Sequence, residues 1–229
     1  MSQQGQIRPI LVVFDVDGTL VDSRATILRA AREAAERVGL ASPSYEDVRQ
    51  IVGLSLRDAL GALAPGLGPK ALDDFVGEFQ SAFRRVQAEP GHREPLYDGA
   101  VPLLQDLKRR SWALAMATGN SRRGVERLLA QHEWADVFDS THCADDGPGK
   151  PDPAMLDAAM QTLAFSPDRT VMVGDTAHDM RMAKAAGVRA LGVTWGFHTA
   201  TEIQDGGADL IVHDFPALAA ELVRFAALS

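Results

Sequence analysis

Five short apolar runs set the strongest limit on how this chain folds: Ile10–Phe14, Ala113–Ala117, Thr170–Val173, Ala190–Val193 and Leu210–Val212. None shows the strict apolar–polar alternation of a strand with one wet face, so each is expected to be covered on both sides. Parallel strands reach that state when helices cross over the faces of their sheet. Helix-like segments do lie between the runs, at Val101–Arg110, Ser121–His132, Pro153–Leu163, Ala177–Ala186 and Pro216–Leu228. Val125, Leu128 and Leu129 fall at helical spacing, and Gly187 stands where a helix commonly stops. From Gly99 onward the pattern predicts an α/β layered domain.

Residues 21–92 break the alternation. Helix-like stretches at Ser23–Val38, Tyr45–Gln50, Leu56–Ala62 and Lys70–Ala88 follow one another with Gly39, Gly53 and Pro65–Pro69 as punctuation. A crossover usually needs about one helix, so four in series predict a helical insert that leaves the core after the first strand. The expected division is residues 1–20 and 93–229 for a Rossmann-like parallel-sheet core and 21–92 for the insert. A chain of 229 residues with 46% hydrophobic and 24% charged residues can bury such a core.

The strand ends carry the chemistry. Asp15 and Asp17 follow the first run, Thr118-Gly119-Asn120 the second and Gly174-Asp175 the third, with Asp179 four residues on and Lys150 in a loop. Open α/β sheets bind ligands beyond the carboxyl ends of their strands. Three or four carboxylates gathered there demand a cation, and their oxygen character suits Mg²⁺, which also binds phosphate. Lys150, the Thr118 hydroxyl and the backbone around Gly18, Thr19, Gly119 and Asn120 offer positive potential for an oxyanion. A carboxylate so placed can attack phosphorus, and a second acid two residues away can move the proton. Asp15 ends the strand and is the better-held nucleophile; Asp17 is the expected acid and base. An Asp at a strand end more often caps a helix, and capping explains one acid of the Asp175–Asp179 pair. It does not explain a second acid a turn later together with two more on another strand.

These residues resemble the motifs of the haloacid dehalogenase superfamily of phosphohydrolases. DVDGTLVDS (15–23) is similar to its first motif, Thr118 ending LAMAT to the second, Lys150 in GKPDP to the third and GDTAHD (174–179) to the fourth. The resemblance implies that the insert is a type 1 helical cap and that the first strand lies centrally between those of Thr118 and Asp175. It implies Asp15 as nucleophile and metal ligand, and Asp17 as acid/base touching the metal through its carbonyl. Asp175 becomes the acidic metal ligand, Thr118 the phosphate binder and Lys150 the neutralising cation. Asp179 either holds the metal's waters or orients Lys150.

Within the superfamily the chain looks most like the phosphoglycolate-phosphatase branch. The expected activity is Mg²⁺-dependent hydrolysis of a small phosphorylated metabolite through an aspartyl phosphate, phosphoglycolate being one candidate. A beta-phosphoglucomutase-like transferase is the alternative; such enzymes often carry Arg directly after the cap-turn Ser, where this chain has Leu56. From a different class, a phosphoacceptor signalling domain shares the acidic pocket, but it is shorter and lacks the insert. Arg24 and Arg57 are candidates to meet an anionic leaving group. His178 is not expected to be a ligand, His198 is expected at the surface or in a loop, and Asp145-Asp146 in a solvated loop.

The formal charge of −8 argues against a general nucleic-acid binder. The longest apolar runs are too short for a bilayer, and the N-terminal MSQQGQIRP lacks the apolar segment of a secretory signal. With a single cysteine, Cys143, a reducing compartment and hence the cytoplasm is expected. Monomer and homodimer are both compatible with the sequence.

Overall fold

The computed structural model describes residues 8–228; the first seven residues of the N-terminal MSQQGQIRP lie outside them. Strand β1 (Leu11–Phe14) is followed by four helices, α1 (Arg24–Arg37), α2 (Tyr45–Arg49), α3 (Leu56–Leu63) and α4 (Pro69–Gln87). The alternating part then runs α5 (Ala100–Arg109), β2 (Ala113–Thr118), α6 (Arg122–Gln131), β3 (Ser140–Cys143), α7 (Ala154–Leu163) and β4 (Thr170–Gly174). It closes with α8 (Ala177–Ala185), β5 (Arg189–Val193), α9 (Ala200–Asp205), β6 (Leu210–Val212) and α10 (Phe215–Leu228).

All six strands are parallel in the order β3-β2-β1-β4-β5-β6, so β1 is central. Val13 pairs with Ala115 on one side and Met172 on the other. Successive β1 side chains serve opposite layers, as the strand period requires. Val12 and Phe14 join Leu104, Val125 and Leu218 in one core, while Leu11 and Val13 join Leu156, Met180 and Ile203 in the other. Burial on both faces explains why these strands read as unbroken apolar runs.

Two elements escaped the sequence pattern. Strand β3 (STHC) is an edge strand with Ser140, Thr141 and His142 only partly buried, so it never needed an apolar run. Helix α9, six residues between β5 and β6, is not read from the sequence either.

The helical cap after β1 is built from local signals. Ser44 and Asp47 form a reciprocal cap on α2, the Ser55 hydroxyl accepts from the Asp58 N–H at the start of α3, and Pro69 opens α4. Ala34 and Ala35 of α1 pack with Leu60 and Phe75, small residues letting the helices approach. The chain enters and leaves this region side by side: the Asp22 N–H donates to Pro95 O at 2.8 Å and the Tyr97 N–H to Leu20 O at 3.0 Å. That short pairing gives the cap two adjacent tethers. Among the described residues, no helix is long and apolar enough to cross a membrane.

Candidate active site

Asp15 is fixed by the sheet itself, its N–H continuing the β1–β4 ladder to Val173 O at 2.9 Å. The Lys150 ammonium arrives from the loop after β3 and donates to Asp15 Oδ1 at 2.5 Å. It also stands 2.7 Å from Asp179 Oδ1. The other oxygen of Asp179 accepts from the Thr176 N–H and hydroxyl, closing a capping box at the start of α8. One carboxylate thus caps a helix with one oxygen and pairs with Lys150 through the other, so capping does not exclude a contact with the lysine.

Asp175, fully buried at the end of β4, accepts from the Thr19 hydroxyl at 2.8 Å and from the Phe197 N–H at 2.7 Å. Gly18 turns with φ +91°, and a Cβ there would run into the Asp175 carboxylate. Only glycine fits both conditions. One oxygen from each of Asp15, Asp175 and Asp179 lies within 4.8 Å of the others. Asp15 Oδ2 is buried with no hydrogen-bond partner. Three hard oxygens and an orphaned acceptor are what a divalent ion such as Mg²⁺ would complete.

The Asp17 carboxylate stands outside that cluster. It faces the adjoining cavity and accepts from Asn120 Nδ2 at 2.6 Å. Thr118, at the tip of β2, receives the Asn120 N–H on Oγ1 at 3.2 Å, which leaves its own hydroxyl hydrogen for another acceptor. Several expected oxyanion donors prove to be occupied. The Gly18 N–H donates to Val21 O and the Thr19 N–H to Val16 O, so the turn consumes them. The Asn120 N–H serves Thr118 instead.

Electrostatics separate the acids. Burial raises the Asp15 carboxyl well above its ordinary range despite the adjacent Lys150. Burial, reinforced by Asp179, pushes Asp175 up to about 7. Asp17 is pushed up to about 6 by burial and then by the negative charge of Glu94. For Lys150, burial pulls downward, but Asp15 and Asp179 outweigh it and the ammonium is held charged.

The cap turn covers this region. Leu54 O lies against Gly119 so closely that a Cβ there would sit 2.7 Å from it, and Ser55 lies against Gly149. Arg57 lines the cavity and is paired with Asp73. Arg24 turns elsewhere, bound to Asp22 by two hydrogen bonds and lying over the Tyr97 ring at 5.7 Å. Asp145 and Asp146 are exposed in the loop after β3, as expected, and also brace it: Asp145 accepts from the Arg122 N–H and Asp146 from the Cys143 N–H and the Arg122 guanidinium. His198 lies in the loop between β5 and α9, as expected, but is buried there, its Nδ1 accepting from the Ala177 N–H at 3.1 Å.

Sequence reasoning passed over Glu94, a buried carboxylate held by Arg127 at 3.1 Å, and Arg49, which reaches Glu202 across the cap–core boundary. Neither carries a motif. A buried acid between exposed Arg93 and Pro95 has no local signature.

Residues 12–193 match the family model of the haloacid dehalogenase-like hydrolases. Over 207 residues the chain is 35% identical to "Probable phosphatase IndB" of Dickeya dadantii, covering 90% of each. It is 33% identical over 213 residues to a phosphoglycolate phosphatase of Pseudomonas putida, covering 92% of this chain and 78% of that one. A haloacid dehalogenase-like family hydrolase from Streptococcus pneumoniae superposes with a TM-score of 0.80 at 25% identity, covering 93% of this chain and 98% of that one. The chain therefore belongs to the haloacid dehalogenase-like hydrolases, on their phosphoglycolate-phosphatase-like side. It is an enzyme of phosphatase type.

Proposed function

We propose that this enzyme hydrolyses a phosphate monoester of a small organic molecule through an aspartyl phosphate on Asp15, with Mg²⁺ held by Asp15, Asp175 and the Asp17 carbonyl. The observation that carries this reading is the pairing of a clustered, partly orphaned set of acids with a separate acid at the cavity wall. When bound, the ion would neutralise the carboxylates and draw charge off a phosphoryl oxygen. Lys150, locked between Asp15 and Asp179, adds a fixed positive charge where the transferring group gathers negative charge. The Thr118 hydroxyl donates to a phosphoryl oxygen.

In the first half-reaction an Asp15 oxygen bonds to phosphorus as the bond to the leaving oxygen breaks, and that oxygen takes the Asp17 proton. In the second, water gives a proton to the Asp17 carboxylate and attacks phosphorus. The bond to Asp15 then breaks, releasing phosphate and restoring the carboxylate. The raised pKa of Asp17 suits a group that must hold a proton in one step and accept it in the next. A signalling phosphoacceptor has no use for such a group, and the mutase reading lacks its arginine at Leu56. Phosphoglycolate is the substrate toward which the names of several relatives point.

Turnover of para-nitrophenyl phosphate with and without Mg²⁺ tests the proposal. Metal-dependent multiple turnover with a trapped phosphoenzyme is expected. Asp15→Asn abolishes both, and Asp17→Asn slows turnover by about 10²–10⁴-fold while calorimetry still shows Mg²⁺ binding. Persistence of the phosphoenzyme in Asp15→Asn would refute the nucleophile assignment.

A further inference from the structure

The space beside Asp15 and Asp17 continues into the cap as a cavity of about 890 Å³. Sites of that size enclose drug-sized ligands, whereas phosphoglycolate adds only a two-carbon acid to its phosphate. The cap side of the wall carries Ile27 of α1, Leu56 and Leu60 of α3, and Val76, Phe79 and Phe83 of α4, with the polar Gln80 and Gln87 among them. Phe79 and Phe83 lie one helical turn apart with rings stacked, centroids 5.8 Å and planes 15° apart. Both remain only partly buried.

Two flat aromatic side chains bordering open space are poorly placed for the cap's own stability, because apolar surface is stabilised by removal from water. A ligand that covers them supplies that removal. Of the four arginines that line the cavity, Arg57 pairs with Asp73 and Arg127 with Glu94, Arg84 donates to the neutral Ser81, and Arg123 has no ion pair among the described residues. A small carboxylate such as that of phosphoglycolate is too short to cover the two aromatic rings and leaves their apolar surface in water. The cavity is continuous with Asp15 and Asp17, so its occupant is the part of the substrate attached to the phosphoryl group.

Resting on the phosphatase reading above, we propose that the preferred substrate is the phosphate monoester of an alcohol with an apolar body, alkyl or aromatic, which fills the cap cavity, and that phosphoglycolate is a poor substrate. The test uses the full chain with Mg²⁺ and four esters: ethyl, hexyl and 2-phenylethyl phosphate, and phosphoglycolate. The first three release primary alcohols of similar acidity, so differences in kcat/KM report contacts of the leaving group rather than its chemistry. Each buried methylene is worth about fourfold, and hexyl and 2-phenylethyl phosphate are expected to exceed ethyl phosphate and phosphoglycolate by at least about tenfold.

In Phe79→Ala the ratio of 2-phenylethyl to ethyl phosphate falls by about fivefold or more, with circular dichroism confirming that the helices persist. A flat series, a preference for phosphoglycolate, or an unchanged ratio in a folded Phe79→Ala protein overturns the inference and leaves the phosphatase reading standing. Absence of both turnover and phosphoenzyme with every ester overturns the phosphatase reading together with the inference.

Discussion

At Asp17 two neighbours act in different ways. Asn120 Nδ2 donates to Oδ2 at 2.6 Å and fixes the carboxylate's direction. Glu94 lends negative charge that favours the protonated form, adding to the effect of burial. As a general acid Asp17 works while protonated, so the rate with a poor leaving group falls as pH rises through its pKa. Removing the Glu94 charge lowers that pKa. In Glu94→Gln, with saturating Mg²⁺, the falling limb of phosphoenzyme formation from an alkyl phosphate therefore moves to lower pH by about half a unit. An aryl ester with a good leaving group, needing no proton, shows no such displacement. A limb that stays in place, or moves upward, would show that Glu94 does not bias Asp17.

Helices α2 and α9 hold the cap against the core. The Arg49 guanidinium donates to Glu202 Oε2 at 2.8 Å and Oε1 at 3.1 Å, and Gln50 joins the same carboxylate. Arg49 also donates to Phe197 O at 3.3 Å, while the Phe197 N–H supports Asp175, so the contact reaches the loop that holds the acidic cluster. Hydrogen bonding from Arg49 keeps the Glu202 carboxyl far below its ordinary range. Its contribution is therefore present above the ordinary carboxylate pKa and lost as pH falls. Exposed pairs are worth ~0–1 kcal/mol, and this one, with side chains 11% and 27% exposed, belongs toward the top of that range. Glu202→Gln is expected to quicken amide exchange across residues 45–52 by about two- to fivefold and to shift kcat and KM together. Unchanged exchange would mean that packing of the Leu54 turn on Gly119 suffices to hold the cap.

For the whole molecule, the acidic cluster ties stability to metal and pH. Asp15 and Asp175 have folded-state pKa values above their unfolded ones. Such groups stabilise the fold fully below the unfolded value and lose that contribution as pH rises through the folded value, about 7 for Asp175. The metal-free protein should thus melt at lower temperature at about pH 8 than at about pH 5.5, and Mg²⁺ should reverse the loss. Asp175→Asn removes a buried charge while the amide oxygen still accepts from Phe197 and the Thr19 hydroxyl turns to accept from the amide. That variant should melt above the parent at about pH 8 without metal by at least the ~2–4 °C that 1 kcal/mol represents in a chain of this size. It should also lose the response to Mg²⁺. Calorimetric scans across pH check both expectations, and a parent protein indifferent to Mg²⁺ would contradict them.

Much of this architecture was legible along the chain because its causes are local. A strand buried on both faces must be apolar throughout, which exposed β1, β2, β4 and β5; helix-like stretches punctuated by glycine and proline outlined α1 to α4. Polar residues set just past those runs could be assigned to one crevice, since parallel strands end on the same side. What the sequence could not supply were relations between distant residues. Strand β3, at the edge, had no need of an apolar signature. Which donors the Gly18 turn consumes, that Asp179 serves helix and lysine together, that Arg24 turns to Asp22, and that Glu94 lies buried behind Asp17 all depend on tertiary packing. So does the size of the cap cavity. Chemistry was written in residue types because reactive groups are few; partnership and volume were decided only by folding, because they arise from segments that meet across the chain.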